Sequence, residues 1–138
     1  MTPHTQIVLC VTGGRDLTPD SFASALPLLG NVSAISLHHG DARGWDRAAR
    51  DWARSNGIPD YPVPFSAGEA EGVPRAQWGK RRNWTFMANA RRQARENGVS
   101  CVCLAGWNGM SGGTAHGIAT ATSLGLDVVL DRAWEAKR

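Results

Sequence analysis

At 138 residues, with a formal net charge of +3, 42% hydrophobic and 20% charged residues, the chain has the make-up of one folded domain, residues 1–138, able to bury about two thirds of its unfolded surface. No apolar run approaches the roughly 18 residues of a membrane span, and residues 1–6 carry no basic stretch ahead of the first apolar run. Neither a membrane anchor nor a signal peptide is expected, and the protein is read as cytoplasmic. The three cysteines, Cys10, Cys101 and Cys103, fall in apolar stretches without the Cys-x-x-Cys spacing of zinc or redox sites, so all three read as small buried hydrophobes.

The first apolar run, Ile7-Val8-Leu9-Cys10-Val11, reads as a strand buried on both faces, and it ends in Thr12-Gly13-Gly14-Arg15-Asp16. A helix is expected over 18–29, with Thr18 as its cap and Pro19 in its first position. Gly13-Gly14 lacks the third glycine of the dinucleotide fingerprint, so the pair alone fits a structural turn as well as a ligand contact. Residues 34–39 form a second expected strand, followed by Gly40-Asp41-Ala42-Arg43-Gly44-Trp45-Asp46 and a helix over 46–55. Arg43 in this turn has the reach and charge for a phosphate, and Asp46 suits either a helix cap or a ribose hydroxyl. His38 and His39, adjacent on a strand, face opposite ways and do not share a metal; no metal site is expected.

A short third strand over 61–65 contains Pro62 and Pro64, which favour a sheet edge. Residues 66–74 read as a mobile loop. A helix over 76–96 follows. From Arg75 to Arg95 the chain has seven basic residues, Arg75, Lys80, Arg81, Arg82, Arg91, Arg92 and Arg95, and no acidic one, which implies an anionic partner. Arg91, Arg92 and Arg95 read as a solvated face, whereas Lys80, Arg82 and Asn83, near the helix start, are candidates for ligand contact. Trp78, Trp84 and Phe86 lie among these cations, in a pattern that suits either core packing or base stacking.

The last unit starts with the uncharged run from Val99 to Ala105 and empties into Gly106-Trp107-Asn108-Gly109-Met110-Ser111-Gly112-Gly113-Thr114, then a helix over 114–124 and a strand over 127–130. Four glycines in eight residues, ahead of the free amides and positive dipole end of a helix, describe an anion site. Strand, glycine turn and helix thus recur at Gly13, Gly40 and Gly106. Such alternation predicts an α/β fold, a Rossmann-like three-layer sandwich with a mainly parallel sheet of about five strands, whose glycine turns meet at one crevice.

Taken together, Val11 to Asp16, His39 to Asp46, Trp78-Gly79-Lys80-Arg81-Arg82-Asn83 with Met87, and Gly106-Trp107-Asn108-Gly109 with Gly113-Thr114 resemble the SLOG superfamily of Rossmann-like proteins, especially its YspA-like branch. That resemblance implies binding of nucleotides or nucleotide-derived, ADP-ribose-like signals. The related Lonely Guy phosphoribohydrolases cleave the N-glycosidic bond of nucleoside monophosphates with a "PGGxGTxxE" loop and an upstream arginine. Arg82 and Gly113-Thr114 are similar to parts of that pattern, but Gly117 stands where the glutamate belongs. Glycosidic cleavage needs a carboxylate or comparable group, and Asp41 and Asp46, in the glycine turn expected at the same crevice, are the carboxylates that could substitute.

The expected function is therefore binding of a phosphorylated nucleotide-type molecule, by sensing or sequestration. Gly13, Gly14, Arg15, Gly40, Arg43, Asp46, Gly106, Asn108, Gly109, Ser111, Gly112, Gly113 and Thr114 would hold it, with Lys80, Arg82 and Asn83 added from the basic helix. Alternatives are phosphoribohydrolysis with Arg82 and Asp46 as catalytic residues, and nucleic-acid binding through the arginine helix. No cofactor is expected. The six tryptophans, Trp45, Trp52, Trp78, Trp84, Trp107 and Trp134, exceed what a one-sheet core covers, so a homo-oligomer is expected in which Trp84 is buried between subunits.

Overall fold

In the computed structural model, which describes residues 5–107, 109 and 111–131, strand β1 (Thr5–Gly13) is the axis of the molecule. Its alternate residues face opposite ways, and both sets are buried. Ile7, Leu9 and Val11 enter one core with Phe22, Leu37, Trp45, Ala49 and Leu104. Val8 and Cys10 enter the other with Phe86, Met87, Ala90, Cys101 and Cys103. A strand with no polar face requires cover on both sides, which gives three layers.

The chain runs β1, α1 (Pro19–Ala25), β2 (Val32–His39), α2 (Trp45–Ser55), β3 (Asp60–Pro62), α3 (Ala67–Ala70), α4 (Trp78–Asn97), β4 (Ser100–Gly106), α5 (Gly112–Ser123) and β5 (Asp127–Asp131). The sheet order is β3-β2-β1-β4-β5 and every pairing is parallel. α1 and α2 cover one face; α4 and α5 cover the other. The fold is thus the expected five-stranded parallel α/β sandwich. Successive strands step away from β1 to one side and then, at β4, to the other, so β1 and β4 are neighbours whose following segments diverge. Ligands bind at this point in open α/β sheets. Among the described residues, no helix is long and apolar enough to cross a membrane.

Several boundaries differ from the sequence expectation. The first helix stops at Ala25 and continues as a 3-10 turn, Leu26–Leu29, because Pro27 has no N–H and its ring crowds the preceding turn. β3 is only three residues long, as Pro62 and Pro64 cannot donate to a ladder, but it does lie at the sheet edge. Residues 66–74 are folded rather than a loose loop: α3 places Gly68 against Trp78, whose indole Nε1 donates to the Val73 carbonyl at 2.7 Å. α5 starts at Gly112, two residues earlier than expected, because the Ser111 hydroxyl accepts from Thr114 N and caps the helix.

The cysteines are buried and free, as expected. His38 and His39 do diverge, His38 pairing with Gln93 of α4 at 2.7 Å and His39 with Asp60 at 2.9 Å. Of the tryptophans, Trp45 is fully buried and Trp84, at 46% exposure, is the exposed one among the described residues; Trp134 lies outside them. Phe86 is 1% exposed in the core and so presents no face for stacking bases.

Candidate functional site

The sheet's switch point is built on Trp45. Its ring lies under the ends of β1 and β4, where Gly13 pairs with Gly106, and its Nε1 donates to the Leu104 carbonyl at 3.2 Å. A Cβ on Gly13 would stand 2.2 Å from the Trp45 ring, and one on Gly106 2.6 Å from it. Both glycines are therefore required by packing. Gly106 is not part of the lining of the crevice above, but its carbonyl accepts from Gly14 N at 3.0 Å.

Over this floor opens a crevice of about 420 Å³, lined by Thr12, Gly13, Gly14, Arg15, Asp16, Ala42, Arg43, Asp46, Arg82, Ser111, Gly113 and Thr114. The volume falls within the range of about 300–1,000 Å³ typical of small-molecule sites. Four separated segments meet here: the turn after β1, the turn before α2, the start of α4 and the start of α5. The amides of Gly112 and Gly113 precede the first intrahelical bond of α5, which Ala115 N makes to Ser111 O, so the positive end of a twelve-residue helix faces the cavity.

Gly112 and Gly113 differ from the glycines under Trp45. A Cβ at either position meets nothing within 4 Å, and neither residue has positive φ. Among the described residues, neither packing nor backbone conformation requires glycine there. Gly109 has φ of 83° and is exposed, and it is not part of this crevice's lining.

Arg82 and Asp46 face each other across the crevice. Asp46 is 5% exposed, and its Oδ2 accepts from Gly40 N at 3.1 Å and Ala42 N at 3.4 Å. It holds the preceding loop rather than the start of α2, whose cap position is taken by Gly44 with no side-chain bond. Burial pushes its carboxyl up to about 7, against the pull of Arg82 and the two amides. Arg82 is half-buried, which lowers its pKa, while Asp46 opposes that shift and Arg15 adds to it. Arg82 joins no ion pair among the described residues. Gly40 makes room for it: a Cβ there would come within 2.7 Å of Arg82 Cδ. Asp41, the other candidate carboxylate, turns away to Arg50 at 3.4 Å and Arg47 at 3.9 Å and lines neither cavity.

A second cavity of about 650 Å³ adjoins the first, sharing Arg82 and Gly113 as a common wall. Lys80, Asn83 and Gly112 line this cavity rather than the first, joined by Phe65, Arg75, Ala76, Gly79 and His116. Asn83, 3% exposed, links the two: its Oδ1 accepts from Arg82 Nε at 3.4 Å, and its Nδ2 donates to His116 Nδ1 at 3.1 Å and to Gly113 O at 3.4 Å.

Of the residues expected from sequence, Gly13, Gly14, Arg15, Arg43, Asp46, Arg82, Ser111, Gly113 and Thr114 thus converge on one crevice, and Lys80, Asn83 and Gly112 on its neighbour. Asn108 lies outside the described residues. Thr12, Asp16 and Ala42 were missed although they stand inside the quoted motifs. Phe65 and His116 had no such signal, since only the packing of α4 and α5 brings them together. The fold and crevice define the class as a Rossmann-like α/β protein with a cleft at its switch point lined by three arginines and two aspartates. Comparison with known protein families, curated proteins and solved structures gave no match for this chain.

Proposed function

We propose that this protein binds a phosphorylated nucleotide or nucleotide-derived molecule of ADP-ribose type in the crevice above Trp45, as a sensor or sequestering protein. Gly112 and Gly113 carry the reading. They lie at the open start of α5, where no contact among the described residues requires glycine, and the absence of side chains there suits close approach of a ligand to backbone amides. Arg15, Arg43 and Arg82 around the same space supply charge for a phosphate, and Arg82 forms no ion pair among the described residues. The sequence resemblance to the SLOG superfamily points the same way. A thermal-shift screen of nucleoside mono- and diphosphates and ADP-ribose tests the reading, since a ligand at 100 times its dissociation constant adds about 2.7 kcal/mol of stability. A folded sample that responds to none of them refutes it.

Asp46 favours a second reading, hydrolysis of the N-glycosidic bond. A buried carboxyl that titrates at about 7 beside Arg82 is suited to accept or deliver a proton at neutral pH. Release of free base from nucleoside monophosphates, abolished in Asp46→Asn, would establish it; no base from any of the common four would exclude it for those substrates.

The exposed indole of Trp84 on α4 supports self-association, with α4 as the contact and Arg82 close to a shared crevice.

A further inference from the structure

We propose that the second cavity is the compartment for the planar base of the ligand, with Phe65 as the face on which the base lies and His116 Nε2–H as the donor that reads it. This rests on the phosphate of that ligand occupying the first crevice. The two cavities meet at Arg82 and Gly113, so a molecule anchored at the start of α5 extends into the second without leaving the protein.

Phe65 is 39% exposed but held in place. Its ring meets Trp78 edge-on at 5.4 Å, and Trp78 is fixed in turn by its bond to Val73 O and by Arg75, whose guanidinium lies 5.6 Å from the ring. An exposed aromatic ring that is already immobilised loses little entropy when a base stacks on it. Gly79 keeps the space beside it clear, because a Cβ there would touch only Phe65, at 3.8 Å.

His116 is set as a donor by its neighbours. Asn83 Oδ1 takes the Arg82 Nε–H, which turns the Asn83 amide nitrogen, a donor only, toward His116 Nδ1. Nδ1 is then an acceptor, and the ring proton resides on Nε2. Burial and the charge of Lys80 both lower the His116 pKa, which keeps the ring neutral. Among the described residues no carboxylate lines this cavity, so its polar side chains other than Asn83 present donors alone, which suits the ring-nitrogen and carbonyl acceptors of a nucleobase.

The test compares the four common nucleoside 5′-monophosphates with ribose 5-phosphate, which has the phosphate and sugar but no base, by calorimetric titration of the full chain. The best nucleotide is expected to bind at least about tenfold more tightly than ribose 5-phosphate, the loss expected for one base–aromatic stack and a hydrogen bond. Phe65→Ala and His116→Leu should each shrink that ratio severalfold while leaving ribose 5-phosphate affinity unchanged. Gly79→Leu, which fills the space beside the Phe65 ring, should do the same, so the proposal does not depend on any one variant folding. Equal affinity for ribose 5-phosphate and all four nucleotides, or variants that weaken both ligand types alike, would overturn the base compartment and leave phosphate binding standing. If neither ligand type binds, phosphate recognition itself fails and this proposal falls with it.

Discussion

Gly117 of α5 lies so close to Thr12 of β1 that a Cβ built on the glycine would stand 2.4 Å from the threonine Oγ1. A glutamate, or any other side chain, at this position would collide with Thr12, because α5 packs directly onto β1 here. Gly117→Glu is therefore expected to destabilise the fold by about 1–3 kcal/mol or more, as overpacking does, and to confer no hydrolysis. Chemical unfolding together with an assay for free base checks both; a stable Gly117→Glu protein would refute the packing argument.

Asp46 makes stability depend on pH in a particular direction. Folded, it keeps its proton up to about pH 7; unfolded, it releases it near the ordinary aspartate value of 3.8. Between those limits the unfolded chain holds fewer protons, so this group's contribution to stability falls as pH rises toward 7 and stays lost above it. Asp46→Asn, whose amide oxygen can accept the same two N–H groups, should be more stable than the parent. Its advantage should grow from pH 4 to pH 7 to roughly 4 kcal/mol at most, about 1.4 kcal/mol for each pH unit, and then level off. Urea unfolding across that range measures it, and an advantage that does not change with pH would contradict the burial of this carboxyl.

Replacing Arg82 with methionine keeps the length and apolar stem but removes the charge. Nucleotide affinity should drop about ten- to a hundredfold, corresponding to one charge-assisted contact of about 1.5–3 kcal/mol. The melting temperature without ligand should hold or rise, because Arg82 is half-buried and has no ion-pair partner among the described residues. Unchanged affinity in calorimetry would remove Arg82 from the site.

Gly113→Ala separates stability from binding. Alanine has the higher helix propensity and meets open space there, so the fold should gain about 0.5 kcal/mol while nucleotide binding weakens. Thermal shifts with and without ligand would show the two effects moving in opposite directions; a variant that binds as well as the parent would mean that the glycine serves no ligand.

Light scattering at micromolar concentration should give a multiple of the 14.8 kDa chain mass, and Trp84→Ala should lower it. A parent protein that stays at the single-chain mass would end the case for self-association through α4.

The sequence alone determined the layer order and the location of the crevice. Apolar runs such as 7–11 and 99–105 alternate with helical patterns, a parallel sheet follows from that alternation, and right-handed crossovers bring the glycine turns to one edge. Local chemistry was equally legible where it acts over a few residues, as with Thr18 and Pro19 at the start of α1 and Gly98 at the end of α4, in the left-handed conformation at φ 65°. Only the tertiary structure decided which glycines are free. Gly13, Gly106, Gly112 and Gly113 look alike in a string of letters, yet the first two are held to glycine by Trp45, dozens of residues away in the chain, and the last two face open space. Likewise the titration of Asp46 and the donor set on His116 depend on burial and on partners that α4 and α5 bring from elsewhere. Desolvation and steric contact act between residues distant in sequence, and neither leaves a mark on local spacing.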